Sequence, residues 1–124
     1  MGSTHNKAIL IVDDEEIIRE FLSEVLEDYD ITVACDGDEA IEKIMKKHFD
    51  LVITDLRMPK VAGEEVVKVA REKSKDTKVI VISGYSSLYT VSQSVNNGAF
   101  AFLSKPFSIN ELMQSVDSAL EGAA

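Results

Sequence analysis

Five short apolar runs, each followed by a stretch with apolar residues at helical spacing, organise the 124-residue chain. The runs are Ala8-Ile9-Leu10-Ile11-Val12, Ile31-Thr32-Val33-Ala34-Cys35, Leu51-Val52-Ile53-Thr54, Lys78-Val79-Ile80-Val81-Ile82-Ser83 and Phe100-Ala101-Phe102-Leu103-Ser104. A run that is apolar at every position has no face to offer water. Such runs read as strands of a sheet covered on both sides. Between them, Ile17, Ile18, Phe21, Leu22, Val25 and Leu26 mark one helical face, and Ala40, Ile41, Ile44 and Met45 a second. Val66, Val67 and Ala70 mark a third, Leu88, Val91 and Val95 a fourth, and Ile109, Leu112, Met113, Val116 and Leu120 a fifth. A β-α alternation repeated five times predicts an α/β domain: a parallel sheet, doubly wound, with helices on both faces and right-handed crossovers.

Local signals agree with this layout. Asp36-Gly37-Asp38 reads as a turn, and Asn97-Gly98 as a helix end. Acids open the third helix (Glu64, Glu65) and bases close it (Lys68, Arg71, Lys73), as the helix dipole favours. Ser108 and Glu111 have capping-box spacing. The fourth helix is built on Ser, Thr, Asn and Tyr, all mediocre helix formers, and is expected to be the least stable. The methionines and phenylalanines are expected in the core, and His5 and His48 on the surface.

Composition narrows the function. A chain of this length buries about two-thirds of its unfolded surface, enough for one core. The single cysteine, Cys35, excludes an internal disulfide. No apolar run approaches the roughly 20 residues that cross a bilayer, so no membrane role is expected. The net charge of −9 argues against nucleic acid binding by this domain and suits a cytoplasmic protein. Residues 1–6 are expected to be a disordered N-terminal segment or cloning remnant, 7–121 the domain and 122–124 a tail. Met1-Gly2 suggests myristoylation, but Asn6 stands where Ser or Thr is wanted.

In a doubly wound parallel sheet all strands deliver their carboxyl ends to one edge, where ligands bind. Four of the five ends carry chemistry here: Asp13-Asp14, Asp55, Ser83 and Lys105. Taken singly each has an ordinary reading as turn former, helix cap or solvated charge. Their conjunction is specific. Three carboxylates at one edge repel, and a divalent cation such as Mg²⁺, which prefers oxygen ligands, relieves this. Asp55 then reads as the nucleophile of a phosphoryl transfer. The ammonium of Lys105, the hydroxyl of Ser83 and the backbone N–H of Gly84 are placed to hold phosphoryl oxygens.

From about Lys7 to Leu120 the chain resembles the receiver domain of two-component response regulators. The resemblance is carried by Ile11-Val12-Asp13-Asp14-Glu15, by Asp55-Leu56-Arg57-Met58-Pro59 with Gly63, by Val81-Ile82-Ser83-Gly84, and by Gly98 through Phe107 with Lys105-Pro106. It implies a flavodoxin-like fold with five parallel strands in the order 2-1-3-4-5. It implies that Asp55 is phosphorylated by a sensor histidine kinase or a histidine phosphotransfer protein. It implies Mg²⁺, or Mn²⁺ in its place, held by Asp13, Asp14, Asp55 and the main-chain carbonyl of Arg57. Lys105 is then on the phosphoryl group, Pro106 follows a cis bond, and Ser83 and Phe102 form a switch. That switch alters the surface of the fourth helix, fifth strand and fifth helix for an output domain or effector. Phe102 stands where the family commonly has tyrosine, and Ser83 where threonine is frequent. Arg57 and Tyr85 flank the site, and their bulk is expected to restrict the water that hydrolyses the acyl phosphate. On this reading the domain is a phosphoacceptor that assists its own phosphorylation and dephosphorylation, and not an enzyme. Two alternatives stand beside it: a Mg²⁺-dependent phosphatase with an aspartyl nucleophile, and a binding module without chemistry.

Overall fold

The computed structural model describes residues 7–58, 62–84 and 87–121. The expectations for residues 1–6, Pro59, Tyr85 and 122–124 lie outside these. Strands and helices alternate as β1 (Ala8–Val12), α1 (Glu16–Val25), β2 (Asp30–Ala34), α2 (Gly37–Lys46), β3 (Leu51–Asp55), α3 (Gly63–Lys73), β4 (Lys78–Ser83), α4 (Leu88–Asn96), β5 (Ala101–Ser104) and α5 (Ile109–Glu121). The five strands form one parallel sheet in the order β2-β1-β3-β4-β5. This is the flavodoxin-like doubly wound arrangement. No helix among the described residues is long and apolar enough to cross a membrane.

The apolar runs are not uniform once folded. Alternate side chains enter two separate cores. Ile9, Ile11, Leu51, Ile53, Ile80 and Ile82 pack with Leu22 of α1 and Leu112, Val116 and Ala119 of α5. Leu10, Val12, Val52, Val79 and Val81 pack on the other face with Ala40 and Ile44 of α2 and Val66, Val67 and Ala70 of α3. Isoleucine dominates one face and valine the other. The three central strands are buried almost throughout, whereas the edge strands β2 and β5 are partly exposed. Full burial of each large aliphatic side chain stabilises by about 1.5–3 kcal/mol, and the central strands supply most of them.

Several local expectations need correction. Asp36 caps α2 by accepting from the Glu39 N–H at 2.8 Å, so Gly37 is the first helical residue rather than part of a turn. The second strand begins one residue early, because the Asp30 N–H reaches the Lys7 carbonyl at 3.0 Å. Ile17 is 72% exposed, and Met45 and Phe100 also face solvent. Helix α4 buries only Ser94 fully, while Leu88, Tyr89 and Val95 lie exposed.

Helix α2 runs along the free edge of β2. The Asp30 N–H points to the β1 side, so the polar groups of Val33 and Cys35 point outward. Glu39 accepts from the Cys35 N–H at 2.7 Å, and Lys43 donates to the Val33 carbonyl at 2.8 Å. Lys47 reaches the Asp30 carboxylate at 3.1 Å.

Candidate functional site

Strand register assembles the site. Val12 pairs with Thr54, so the next residues, Asp13 and Asp55, are neighbours at the carboxyl edge. Asp55 stands beside Ile82, with Ser83 one step further. Ser83 stands beside Ser104, and the Lys105 N–H donates to the Ser83 carbonyl at 2.8 Å. Four strands thereby deliver Asp13, Asp55, Ser83 and Lys105 to one spot. The Lys105–Pro106 peptide bond is cis.

The site is largely buried. Asp13 and Ser83 are inaccessible, Asp55 is 5% exposed, and Asp14 is exposed at the rim. Beside them opens a cleft of about 680 Å³ lined by residues that include Asp14, Arg57, Met58, Ser83 and Tyr89. Each carboxylate oxygen of Asp13 and Asp55 has a donor. The Glu15 N–H reaches Asp13 Oδ1 at 2.9 Å, and the Arg57 N–H reaches Asp55 Oδ1 at 3.2 Å. Lys105 Nζ donates to Asp13 Oδ2 at 3.2 Å and Asp55 Oδ2 at 3.0 Å. A Cβ at Gly84 would meet nothing within 4 Å, so the backbone there borders open space.

The charges explain the titration behaviour. Desolvation pushes the Asp13 carboxyl above its ordinary value, helped by the nearby Asp55 charge. The Glu15 N–H and Lys105 only partly oppose this. Desolvation works to lower the Lys105 ammonium, but its hydrogen bond to Asp55 and the charge of Asp13 outweigh this and hold Lys105 above the ordinary lysine range.

Asp13, Asp14 and Asp55 each place one carboxylate oxygen within 4.8 Å of the others. The donor set is oxygen only, and the Lys105 ammonium already sits against two of the three as a cation would. Both features fit a hard divalent ion. The Arg57 main chain, two residues beyond Asp55, lies against the same carboxylate.

Three residues gained importance from the structure. Glu15, which the sequence offers only as the residue closing the Asp13-Asp14-Glu15 motif, extends Oε1 to Lys105 Nζ at 3.3 Å. Arg19 of α1 donates to the Asp13 main-chain carbonyl at 2.8 Å and so ties the loop carrying the acid pair to the helix. Gly63 packs so closely that a Cβ would strike the Asp55 carbonyl oxygen, and its N–H bonds the Leu56 carbonyl at 3.1 Å. A basic residue six positions after Asp13, inside an amphipathic helix, was the sequence trace of the Arg19 contact. Phe102 is half-buried against the α2/α3 core.

Residues 9–117 match the model of the response regulator receiver domain. The chain belongs to this family. Receiver domains are the signalling modules of two-component systems: they take phosphate from histidine kinases and regulate output domains, and phosphorylation on aspartate with Mg²⁺ binding is typical of them. This receiver domain is 34% identical over 113 residues to sporulation initiation phosphotransferase F of Bacillus subtilis, covering 90% of the chain and 91% of that protein. It is 34% identical over 110 residues to the transcriptional regulatory protein DltR of Streptococcus agalactiae, covering 87% of the chain but 49% of DltR. The receiver domain thus spans about half the length of the latter relative. Among solved structures, the response regulator TrrA of Thermotoga maritima, in complex with Mg²⁺-BeF, superimposes with a TM-score of 0.82 at 40% identity, covering 92% of this chain and 99% of that one.

Proposed function

We propose that this receiver domain is a phospho-accepting switch in which Asp55 takes a phosphoryl group from a phosphohistidine, carried by a sensor histidine kinase or a histidine phosphotransfer protein. The observation that carries this reading is the setting of Asp55. It is a nearly buried carboxylate at the end of the central strand, beside two further aspartates and 3.0 Å from the Lys105 ammonium. A bound divalent cation, Mg²⁺ or Mn²⁺, held by Asp13, Asp14, Asp55 and the Arg57 carbonyl, supplies charge neutralisation for the phosphoryl oxygens. One Asp55 oxygen bonds to phosphorus as the P–N bond of the phosphoimidazole breaks. The electron pair leaves with the imidazole nitrogen, which takes up a proton. Lys105 pairs with one phosphoryl oxygen, and the Ser83 hydroxyl and Gly84 N–H receive another.

Ser83 and Phe102 couple this event to the surface formed by α4, β5 and α5. Drawing Ser83 toward the phosphoryl group makes room for the half-buried Phe102 ring, and the outer face changes with it. Phosphorylation acts by favouring one of two pre-existing arrangements through its differential contacts. The output partner reads that face. Arg57 follows Asp55 at the position where aspartyl phosphatases carry a second acid, which supports a domain that handles its own phosphoryl group over an enzyme acting on free phosphoesters. A cytoplasmic location agrees with the net charge of −9 and the exposed free Cys35.

The test is amide NMR with Mg²⁺ before and after beryllofluoride, with Asp55→Asn as control. Saturable shifts around Asp55, Ser83, Phe102 and α4, absent in the control, support acceptor and switch together. Shifts confined to the site leave an acceptor without the switch. No response from the wild type overturns the reading.

A further inference from the structure

Lys105 has more carboxylate partners than the phosphoryl chemistry needs. Its ammonium contacts Asp13 at 3.2 Å, Asp55 at 3.0 Å and Glu15 at 3.3 Å. The first two belong to the acid cluster at the strand ends. Glu15 does not. Its carboxylate comes from the residue preceding α1, its side chain is 57% exposed, and its own backbone N–H is committed to Asp13. The Lys105 side chain, by contrast, is only 20% exposed. Glu15 therefore reaches inward from the rim to a cation that the interior already holds. Asp13 and Asp55 take two of the three ammonium N–H donors; on a side chain that still meets solvent the third could go to water, yet it is taken by Glu15.

We infer that Glu15 is a positioning residue that competes with the incoming phosphoryl group for Lys105, and so sets how readily the site accepts a tetrahedral anion. This rests on the phospho-acceptor reading of Asp55. In the resting domain Lys105 is shared among three carboxylates. When Asp55 carries a phosphoryl group, its oxygens need the same ammonium, which must leave Glu15 to reach them. The carboxylate of Glu15 is thus a built-in rival to the product, placed outside the cluster that holds the metal. A pair at the rim is weak and screened by salt, so its removal changes anion binding by a small factor, about two- to fivefold.

Three proteins test this: wild type, Glu15→Gln and Glu16→Gln. The last removes the same charge one residue away, from a side chain that is not a partner of Lys105. Beryllofluoride affinity in saturating Mg²⁺ is read from amide NMR titrations. The expected result is a two- to fivefold tighter affinity for Glu15→Gln at low salt, a gain that shrinks at about 1 M salt, and a clearly smaller gain for Glu16→Gln. In metal-free protein without any anion, proton exchange from the Lys105 ammonium should quicken in Glu15→Gln only. Equal gains for the two variants, or unchanged Lys105 exchange, overturn the role of Glu15 while leaving Asp55 as acceptor. A wild type that takes no beryllofluoride overturns the acceptor reading instead, and the role of Glu15 falls with it.

Discussion

Replacing Lys105 with methionine asks what the ammonium does for the resting domain. The substitution keeps the length and apolar stem of the side chain and removes one charge. At 3.0 Å from Asp55, a single pair attracts by about 5–6 kcal/mol at an effective dielectric near 20. Desolvation of both groups offsets most of that. What remains after the change is an inaccessible Asp13 and a nearly inaccessible Asp55 with no cation between them. Removing one partner of a buried ion pair costs about 3–5 kcal/mol. Here the cluster borders an open cleft and Asp14 is exposed, so water relieves part of the repulsion and the expected loss is about 2–3 kcal/mol. With a urea slope of about 1–3 kcal/mol per molar, the unfolding midpoint falls by about 0.7–3 M. The assay is urea unfolding at pH 7 in low-salt buffer with a chelator, then with millimolar Mg²⁺. The divalent ion should restore more stability to the variant than it adds to the wild type. A midpoint for Lys105→Met equal to or above that of the wild type in chelator would refute the idea that Lys105 stands in for a cation.

Gly63→Ala places a Cβ against the Asp55 carbonyl oxygen and 2.7 Å from Leu56 Cα, and backbone atoms cannot rotate away. A loss at or above the upper end of the usual 1–3 kcal/mol for overpacking is expected, with amide shifts at Asp55 through Arg57. Unchanged shifts there would count against the contact. Glu39 is held down to about 2 from 4.5, first by the Cys35 N–H, so its ionised form stabilises the fold above pH 4.5 and that contribution is lost as pH falls through about 2. Because the side chain is more than a third exposed, Glu39→Gln should lower stability by about 0.5–1 kcal/mol at pH 6 and by clearly less as pH falls toward 2, read from paired melts across that window. Ser108→Ala removes one arm of the reciprocal cap in which Glu111 N–H reaches Ser108 Oγ at 3.0 Å and Ser108 N–H reaches Glu111 Oε1 at 2.9 Å. It should cost about 0.5–2 kcal/mol by urea titration, and a change under a few tenths would mean the cap is not formed in solution.

Strand existence and order were legible because burial on both faces leaves its mark in composition. Val79 to Ile82 has no polar residue to hide, and the expected bounds of β1 and β4 match the structure. The edge strands read less sharply. Phe100 was expected in β5 yet faces solvent before the strand begins, since an edge run need not be buried to be apolar. Helical stripes were legible in α2, α3 and α5, where side chains meet the sheet, except for Met45 and Ile109, which keep the spacing but stand exposed. They overstated α4, whose Leu88 and Val95 keep the spacing of a core face and remain exposed. Spacing reports which residues share a face, and not whether anything covers it. At the site, the meeting of Asp13, Asp55, Ser83 and Lys105 was legible because parallel register brings strand ends together. Their supports were not. The reach of Glu15 to Lys105 crosses 90 residues of sequence, and the fit of Gly63 under Asp55 depends on loop geometry that no local pattern encodes.

The three side chains of α2 and its cap that lie along β2 have a consequence for association between molecules. An unpaired strand edge is a template on which another chain can extend the sheet. At this edge the outward carbonyl of Val33 and the outward N–H of Cys35 are already taken by Lys43 and Glu39, which also pair with each other at 3.2 Å. A foreign strand pairing at Val33 and Cys35 would have to strip off both charged partners before bonding those two groups. Helix α2 therefore walls the core and also occupies the carboxyl end of this edge, where an added strand would otherwise find a free carbonyl and N–H.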